Sequence, residues 1–321
     1  MRPSTLLRAL SVLPVAVGFQ TATNSSYPTL LSDGTVDLGD YSTAYEKAKS
    51  FVAGLTNEQK VQIITGQSFE GNQSWAAYQK KDGVVGVNMQ LFVSAFSMIN
   101  AATMTWNPDL VEAQFRATGD EFYQMGFNLI MSPVASPLGR DPYGGRLPEA
   151  FSLDPYLSGI LMGRATIGMN SAGVIKTGRH ILLNEQETNR SNGGYSANAD
   201  DKTIREVYLW PFADAVKAGM LAVMCGMNRV NGFLSCENSQ LLNGYLKTSI
   251  GFPGMVLPDV SSQATSYGSA NAGLDNGSGQ LWSEQIMLAG IPNGSLSQAR
   301  LDDMAVRNVI GYYAMNLDNG Q

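Results

Sequence analysis

Asp259 closes the apolar run Met255-Val256-Leu257 inside the stretch Gly251-Phe252-Pro253-Gly254-Met255-Val256-Leu257-Pro258-Asp259. Three apolar residues framed by glycine, proline and an acid read as a buried strand that ends on a carboxylate. A core rejects an unpaired charge, whereas the carboxyl ends of strands in a parallel barrel face a catalytic mouth. Asp259 is therefore the candidate nucleophile. The competing reading makes it the N-cap of a helix over residues 261–273.

Other polar groups gather just after apolar runs. Residues 132–146 follow Met131 in a Pro- and Gly-dense loop that offers Arg140 and Arg146. Gly178-Arg179-His180 follows Thr177, with Asn184-Glu185-Gln186-Glu187 close behind, and Met227-Asn228-Arg229-Val230-Asn231 follows Cys225. Bidentate donors and carboxylates beside apolar walls suit a polyhydroxylated ring such as a sugar. Taken singly, each loop arginine reads equally as the partner of a structural acid.

To bring these loops together the chain needs a repeating scaffold, and its sequence has one. Strand-like runs at residues 84–87, 128–131, 174–177, 221–225 and 255–257 alternate with helical stretches at 107–125, 154–169, 201–218 (interrupted by Pro211), 237–249, 280–289 and 297–315. A first helix is expected over 43–53, and Thr56 with Gln59 forms a capping box before the next. Tyr208, Phe212 and Val216 recur every four residues, one face of a helix. Alternating strands and helices imply parallel pairing, hence an α/β fold and, by preference, a (β/α)8 TIM-like barrel in an irregular or incomplete form. A doubly wound nucleotide fold is disfavoured because no Gly-rich phosphate loop follows any strand.

The chain of 321 residues has 44% hydrophobic and 15% charged residues, enough for a substantial core. A net charge of −6 and a pI near 4.9 leave no basic stripe for nucleic acid. Residues 1–18 combine Arg2 and Arg8 with a short apolar run and small residues, the pattern of a signal peptide, so a secreted, extracellular protein is expected. No other stretch is long and apolar enough for a membrane anchor. An extended arm is expected over 19–42 and the barrel over 43–321. Asn24, Asn72, Asn189, Asn276 and Asn293 head N-glycosylation acceptors. The two cysteines, Cys225 and Cys236, suggest a disulfide in an oxidising compartment, with two buried thiols as the alternative. Cys-x-x-Cys spacing and a histidine cluster are both absent from the sequence, so neither a metal nor a cofactor is expected.

These residues also carry a resemblance. From about Ala44 to Met315 the chain resembles the N-terminal barrel domain of secreted β-glucosidases of glycoside hydrolase family 3. The resemblance rests on Pro137-Leu138-Gly139-Arg140-x-Pro142-Tyr143-Gly144-Gly145-Arg146, on His180 with Asn184-Glu185-Gln186-Glu187, and on Glu206-Val207-Tyr208-Leu209-Trp210-Pro211-Phe212-Ala213. Asn228-Arg229-Val230-Asn231, Cys236-Glu237-Asn238-Ser239 and Gly273-Leu274-Asp275 complete it. It implies a retaining hydrolysis of terminal β-glucosides, with Asp259 as nucleophile and Asp82, Arg146, Arg179, His180 and Met227 around the sugar. Such a mechanism needs two carboxyl groups roughly 5 to 5.5 Å apart.

Departures from the family pattern are equally legible. Arg179 stands where the resemblance implies a lysine, Met227 where it implies a tyrosine supporting the nucleophile, Val260 where it implies a tryptophan, and Asn88 where an arginine is usual. The resemblance also implies a general acid/base glutamate in a second, α/β sandwich domain beyond the sequence, which stops at Gln321. Glu149, Glu185 and Glu187 are the carboxylates that could substitute. The alternative expectation is accordingly a truncated, weakly active or inactive sugar-binding homologue.

Overall fold

The computed structural model describes residues 28–135, 139–140, 142–191 and 194–319. The expected signal peptide, the first part of the arm, Asn24, and Pro137 and Leu138 of the loop motif lie outside the described residues. The described strands, in chain order, are β1 (Lys80–Asp82), β2 (Leu129–Met131), β3 (Ile175–Ile181), β4 (Ser196–Ala197), β5 (Ala222–Cys225), β6 (Arg229–Val230), β7 (Phe233–Leu234) and β8 (Met255–Pro258). Five of them form one parallel sheet in the order β1-β2-β3-β5-β8, and β4, β6 and β7 form a small rim sheet.

The parallel sheet with intervening helices is the α/β, barrel-like architecture expected, in its irregular form: among the described residues no ladder joins β1 to β8. Strands β2, β5 and β8 are covered on both faces, which is why they read as unbroken apolar runs. Leu129, Met131, Ile175, Ala222, Met224, Met255 and Leu257 pack inward with Leu317, while Ile130, Val223, Cys225 and Val256 pack outward in the main core against the helices. Helix Pro155–Ser171 lies between helices Pro108–Gln124 and Trp210–Lys217. Close approach there needs Gly168, where a Cβ would stand 2.4 Å from Glu112 O. Gly254 likewise admits β8 beside β5, since a Cβ would sit 2.0 Å from Leu221 O.

Most elements fall where the periodicity puts them. The first helix runs Ser42–Ala53, and Thr56 and Gln59 exchange the expected capping-box hydrogen bonds before helix Asn57–Ile64. Two expectations fail. Strand β1 is Lys80–Asp82 rather than 84–87, because this stretch pairs with Leu129–Met131 while Gly83 lies against Ile130 and Phe122 as the chain turns out. The expected helix 201–218 is broken into Asp201–Thr203, a π-helical segment Ile204–Tyr208 and Trp210–Lys217, as Pro211 cannot supply a backbone N–H to a continuous ladder.

The described part of the arm is anchored, not loose. Leu31 N donates to Asp303 Oδ1 at 2.8 Å, Tyr41 OH donates to Gly219 O at 3.0 Å, and Arg307 Nη2 donates to Thr29 O at 3.1 Å. No helix among the described residues is long and apolar enough to cross a membrane.

Candidate active site

The carboxyl ends of β1, β3 and β8 bring distant side chains to one rim. Asp82 ends β1, Arg179 and His180 lie near the end of β3, and Asp259 follows β8. The register is staggered: Arg179 pairs with Met224, which pairs with Leu257, two residues before Asp259, and Asp82 pairs with Met131 at the end of β2, from where it meets Arg179. Behind the rim, Cys225 and Cys236 are joined in a disulfide that ties the end of β5 to the turn Ser235–Glu237.

Asp259 is not a helix cap. Its Oδ1 accepts from Val260 N at 2.7 Å, and the next helix, Tyr267–Ala272, begins after Ser266. Its side chain is 11% exposed, and Oδ2 lies 3.4 Å from His180 Nε2 and 3.5 Å from Arg190 Nη1. None of these three buried atoms has a hydrogen-bond partner.

His180 is held as a neutral, oriented ring. Burial first, then Arg179, Arg146 and Arg190, push its pKa well below the ordinary value. The backbone N–H groups of Glu185 and Gln186 donate to the Tyr195 hydroxyl, which donates to Asn184 Oδ1 at 3.3 Å. Asn184 Nδ2 therefore faces His180 Nδ1, at 3.4 Å, as a donor. The ring proton is left on Nε2, the nitrogen turned to Asp259.

A second set of charges surrounds Asp82. Arg179 Nη1 donates to Asp82 Oδ1 at 2.7 Å and its Nη2 lies 3.8 Å from Glu149 Oε2. Glu149 in turn takes both Nε and Nη2 of Arg146, at 2.6 and 2.7 Å. Arg179 is buried while Asp82 is half exposed, so the pair presents a carboxylate to solvent from a fixed cation. Arg146 also lies within electrostatic range of Asp259 and Glu187. Met227 follows β5, half-buried, and its thioether cannot donate a hydrogen bond.

The fold thus gathers Asp82, Arg146, Arg179, His180 and Asp259. Arg190 is the residue at the site that sequence spacing did not single out; the only local signal is its position three residues after Glu187, whose Oε2 its Nε meets at 2.9 Å. Of the expected glycan acceptors, Asn72, Asn189 and Asn293 are exposed. Asn276 is half-buried and donates its Nδ2 to Asn308 Oδ1 at 2.9 Å. No group of three or more His, Cys, Asp or Glu side chains placed to hold a metal occurs among the described residues.

Residues 47–308 match the family model described as the glycosyl hydrolase family 3 N terminal domain. The chain belongs to glycosyl hydrolase family 3. It is 50% identical to a "Probable beta-glucosidase D" of Aspergillus niger over 98% of this chain and 44% of that protein, and 40% identical to a "Probable beta-glucosidase M" of Aspergillus oryzae over 88% and 39%. Among solved structures it resembles the beta-D-glucoside glucohydrolase of Trichoderma reesei, with a TM-score of 0.82 and 37% identity over 88% of this chain and 42% of that one. A family 3 beta-glucosidase of Bifidobacterium adolescentis superimposes with a TM-score of 0.78 at 28% identity, over 84% and 41%. The chain therefore spans less than half the length of the family 3 relatives it matches.

Proposed function

We propose that this chain carries the glucose-binding and nucleophilic part of a retaining β-glucosidase site acting on terminal, non-reducing β-D-glucosyl residues outside the cell. One observation supports this most: a partly buried carboxylate, Asp259, stands 3.4 Å from an oriented neutral histidine, on the same rim as an exposed carboxylate, Asp82, fixed by a buried arginine. Asp259 attacks the anomeric carbon. Asp82, Arg179 and Arg146 bind sugar hydroxyls, and His180 offers its Nε2 proton to one more, so that binding energy orients the ring for attack. The charged rim suits a neutral polyol, and the reaction as drawn needs no metal or cofactor.

A second reading is favoured by the state of the other carboxylates. Glu149 accepts two bonds from Arg146, Glu185 accepts from the Tyr208 hydroxyl at 2.6 Å, and Glu187 pairs with Arg190. Each is engaged by a fixed donor, a poor arrangement for delivering a proton to a leaving group. On that reading the described chain binds the glucosyl group and cleaves only activated substrates, with a rate deficit of roughly 10²- to 10⁴-fold where acid help is needed.

Hydrolysis of 2,4-dinitrophenyl β-glucoside and of cellobiose separates these readings. Cleavage of both supports a complete site, cleavage of the aryl glucoside alone supports a nucleophile without its acid, and calorimetric binding of gluconolactone without cleavage supports recognition only. Absence of all three would remove the glucoside assignment.

A further inference from the structure

Three buried polar atoms without hydrogen-bond partners converge at Asp259: its own Oδ2, His180 Nε2 and Arg190 Nη1. Leaving a buried donor or acceptor without a hydrogen bond is unfavourable, so these three atoms are held to one another by charge and position. Arg190 is 20% exposed, and its Nε is already committed to Glu187 Oε2, which fixes the plane of the guanidinium and turns Nη1 to Asp259 Oδ2. The other oxygen of Asp259 is committed to Val260 N. Oδ2 is thus left as the oxygen that can attack, bounded on one side by a neutral imidazole and on the other by a cation. Met227, at the same rim, supplies no donor for it.

The geometry points to Arg190 as the positioning residue of the nucleophile: braced by Glu187, its guanidinium fixes the direction of Asp259 Oδ2. The assignment rests on Asp259 being the attacking carboxylate. Other charges near Asp259 do not take this part. Arg146 is committed bidentately to Glu149, and Arg179 is committed to Asp82.

The test uses 2,4-dinitrophenyl 2-deoxy-2-fluoro-β-glucoside. In the labelling step a carboxylate oxygen of Asp259 bonds to the anomeric carbon while that carbon's bond to the aryl oxygen breaks. The dinitrophenolate leaves with the bonding pair, so no proton donor is needed. Intact-protein mass against time gives a first-order inactivation constant and a half-saturating concentration. For Arg190→Leu the inactivation constant should fall roughly 10- to 100-fold, the scale of a misdirected reacting group, with half-saturation changed less than threefold. Arg190→Lys, which keeps the charge but has one nitrogen for two carboxylates, should recover only part of the loss, and millimolar guanidinium should partly rescue Arg190→Ala. Should Arg190→Leu not fold, Arg190→Gln, which keeps size but loses charge, carries the same expectation.

Inactivation of the leucine and glutamine variants at the wild-type constant would overturn the assignment. So would parallel loss in both parameters without rescue by lysine or guanidinium, which is the signature of a structural role. A wild-type chain that binds gluconolactone but is labelled at no site, or at a carboxylate other than Asp259, would instead remove the nucleophile assignment, and this one with it.

Discussion

Asp275→Asn tests how the fold holds the strand that ends on Asp259. Asp275 is fully buried: Oδ1 meets Lys247 Nζ at 2.7 Å and Arg300 Nη1 at 2.8 Å, and Oδ2 accepts from Val256 N, in the middle of β8, at 2.9 Å. Arg300 continues to Asp303 at 2.7 Å, and Arg307 closes the chain on Asp303 at 2.9 Å. Burial first, and Arg300 second, push the Lys247 pKa well below its usual range, and its Nζ also donates to Gly273 O at 2.8 Å. Asparagine has one acceptor oxygen where aspartate has two, so it cannot serve both Val256 N and the cations. It also leaves one buried guanidinium without its counter-ion. Removing one partner of a buried pair costs about 3 to 5 kcal/mol. With an unfolding entropy of about 2.1 cal/mol/K per residue, a chain of 321 residues loses roughly 1.5 °C per kcal/mol, so Tm should fall by about 4 to 8 °C. Urea unfolding followed by circular dichroism gives the free energy directly. Lys202→Met, which breaks the exposed Lys202–Glu206 pair at 3.9 Å, is the control, expected to change stability by less than about 0.5 kcal/mol. If Asp275→Asn unfolds no more easily than that control, the buried network does not hold β8, and the reasoning fails.

Other expectations follow from the same physics. Asp259→Asn should abolish labelling by the fluoroglucoside while leaving the circular dichroism and Tm of the wild type; retained labelling at residue 259 would contradict its role. Cys225→Ser should lower stability by roughly 3 kcal/mol, since the bridge closes a short loop in the unfolded chain, and a urea midpoint equal to that of the wild type would refute this. Burial pushes the Lys176 pKa down to about 7 from an unfolded value near 10.5. The unfolded chain therefore binds the extra proton between those values, so stability rises with pH from about 7 to 10.5 and the folded state bears the full cost below 7. Lys176→Met should be the more stable protein at pH 6, by up to roughly 5 kcal/mol less the loss of the Lys176–Asn170 hydrogen bond. That advantage should shrink towards pH 10; a constant difference across that range would show that Lys176 does not titrate on unfolding.

Much of this protein is written locally. Met255-Val256-Leu257 is buried on both faces because its strand is flanked by β5 and covered by helices, and the unbroken apolar run says so without any structure. The same is true of Leu129–Met131 and of the capping box at Thr56 and Gln59. The carboxylate after β8 and the cysteine pair were legible for a related reason: strand ends and short loops leave a signature within a dozen residues. What the sequence could not carry are pairings across the barrel. Arg190 against Asp259, Arg179 against Asp82 and Asp275 against Lys247 and Arg300 join residues with no shared period, and a charged side chain looks alike whether solvated or buried. Asn276 donates to Asn308, 32 residues away, a contact that its neighbours in sequence do not announce. Hydrophobic pattern is a property of one segment and its repeat, so the sequence by itself determined the buried apolar strands β2, β5 and β8 and most helices, but not β1, whose Lys80–Asp82 carries no apolar run. Desolvation and ion pairing depend on which segments meet, and only the tertiary structure decided those.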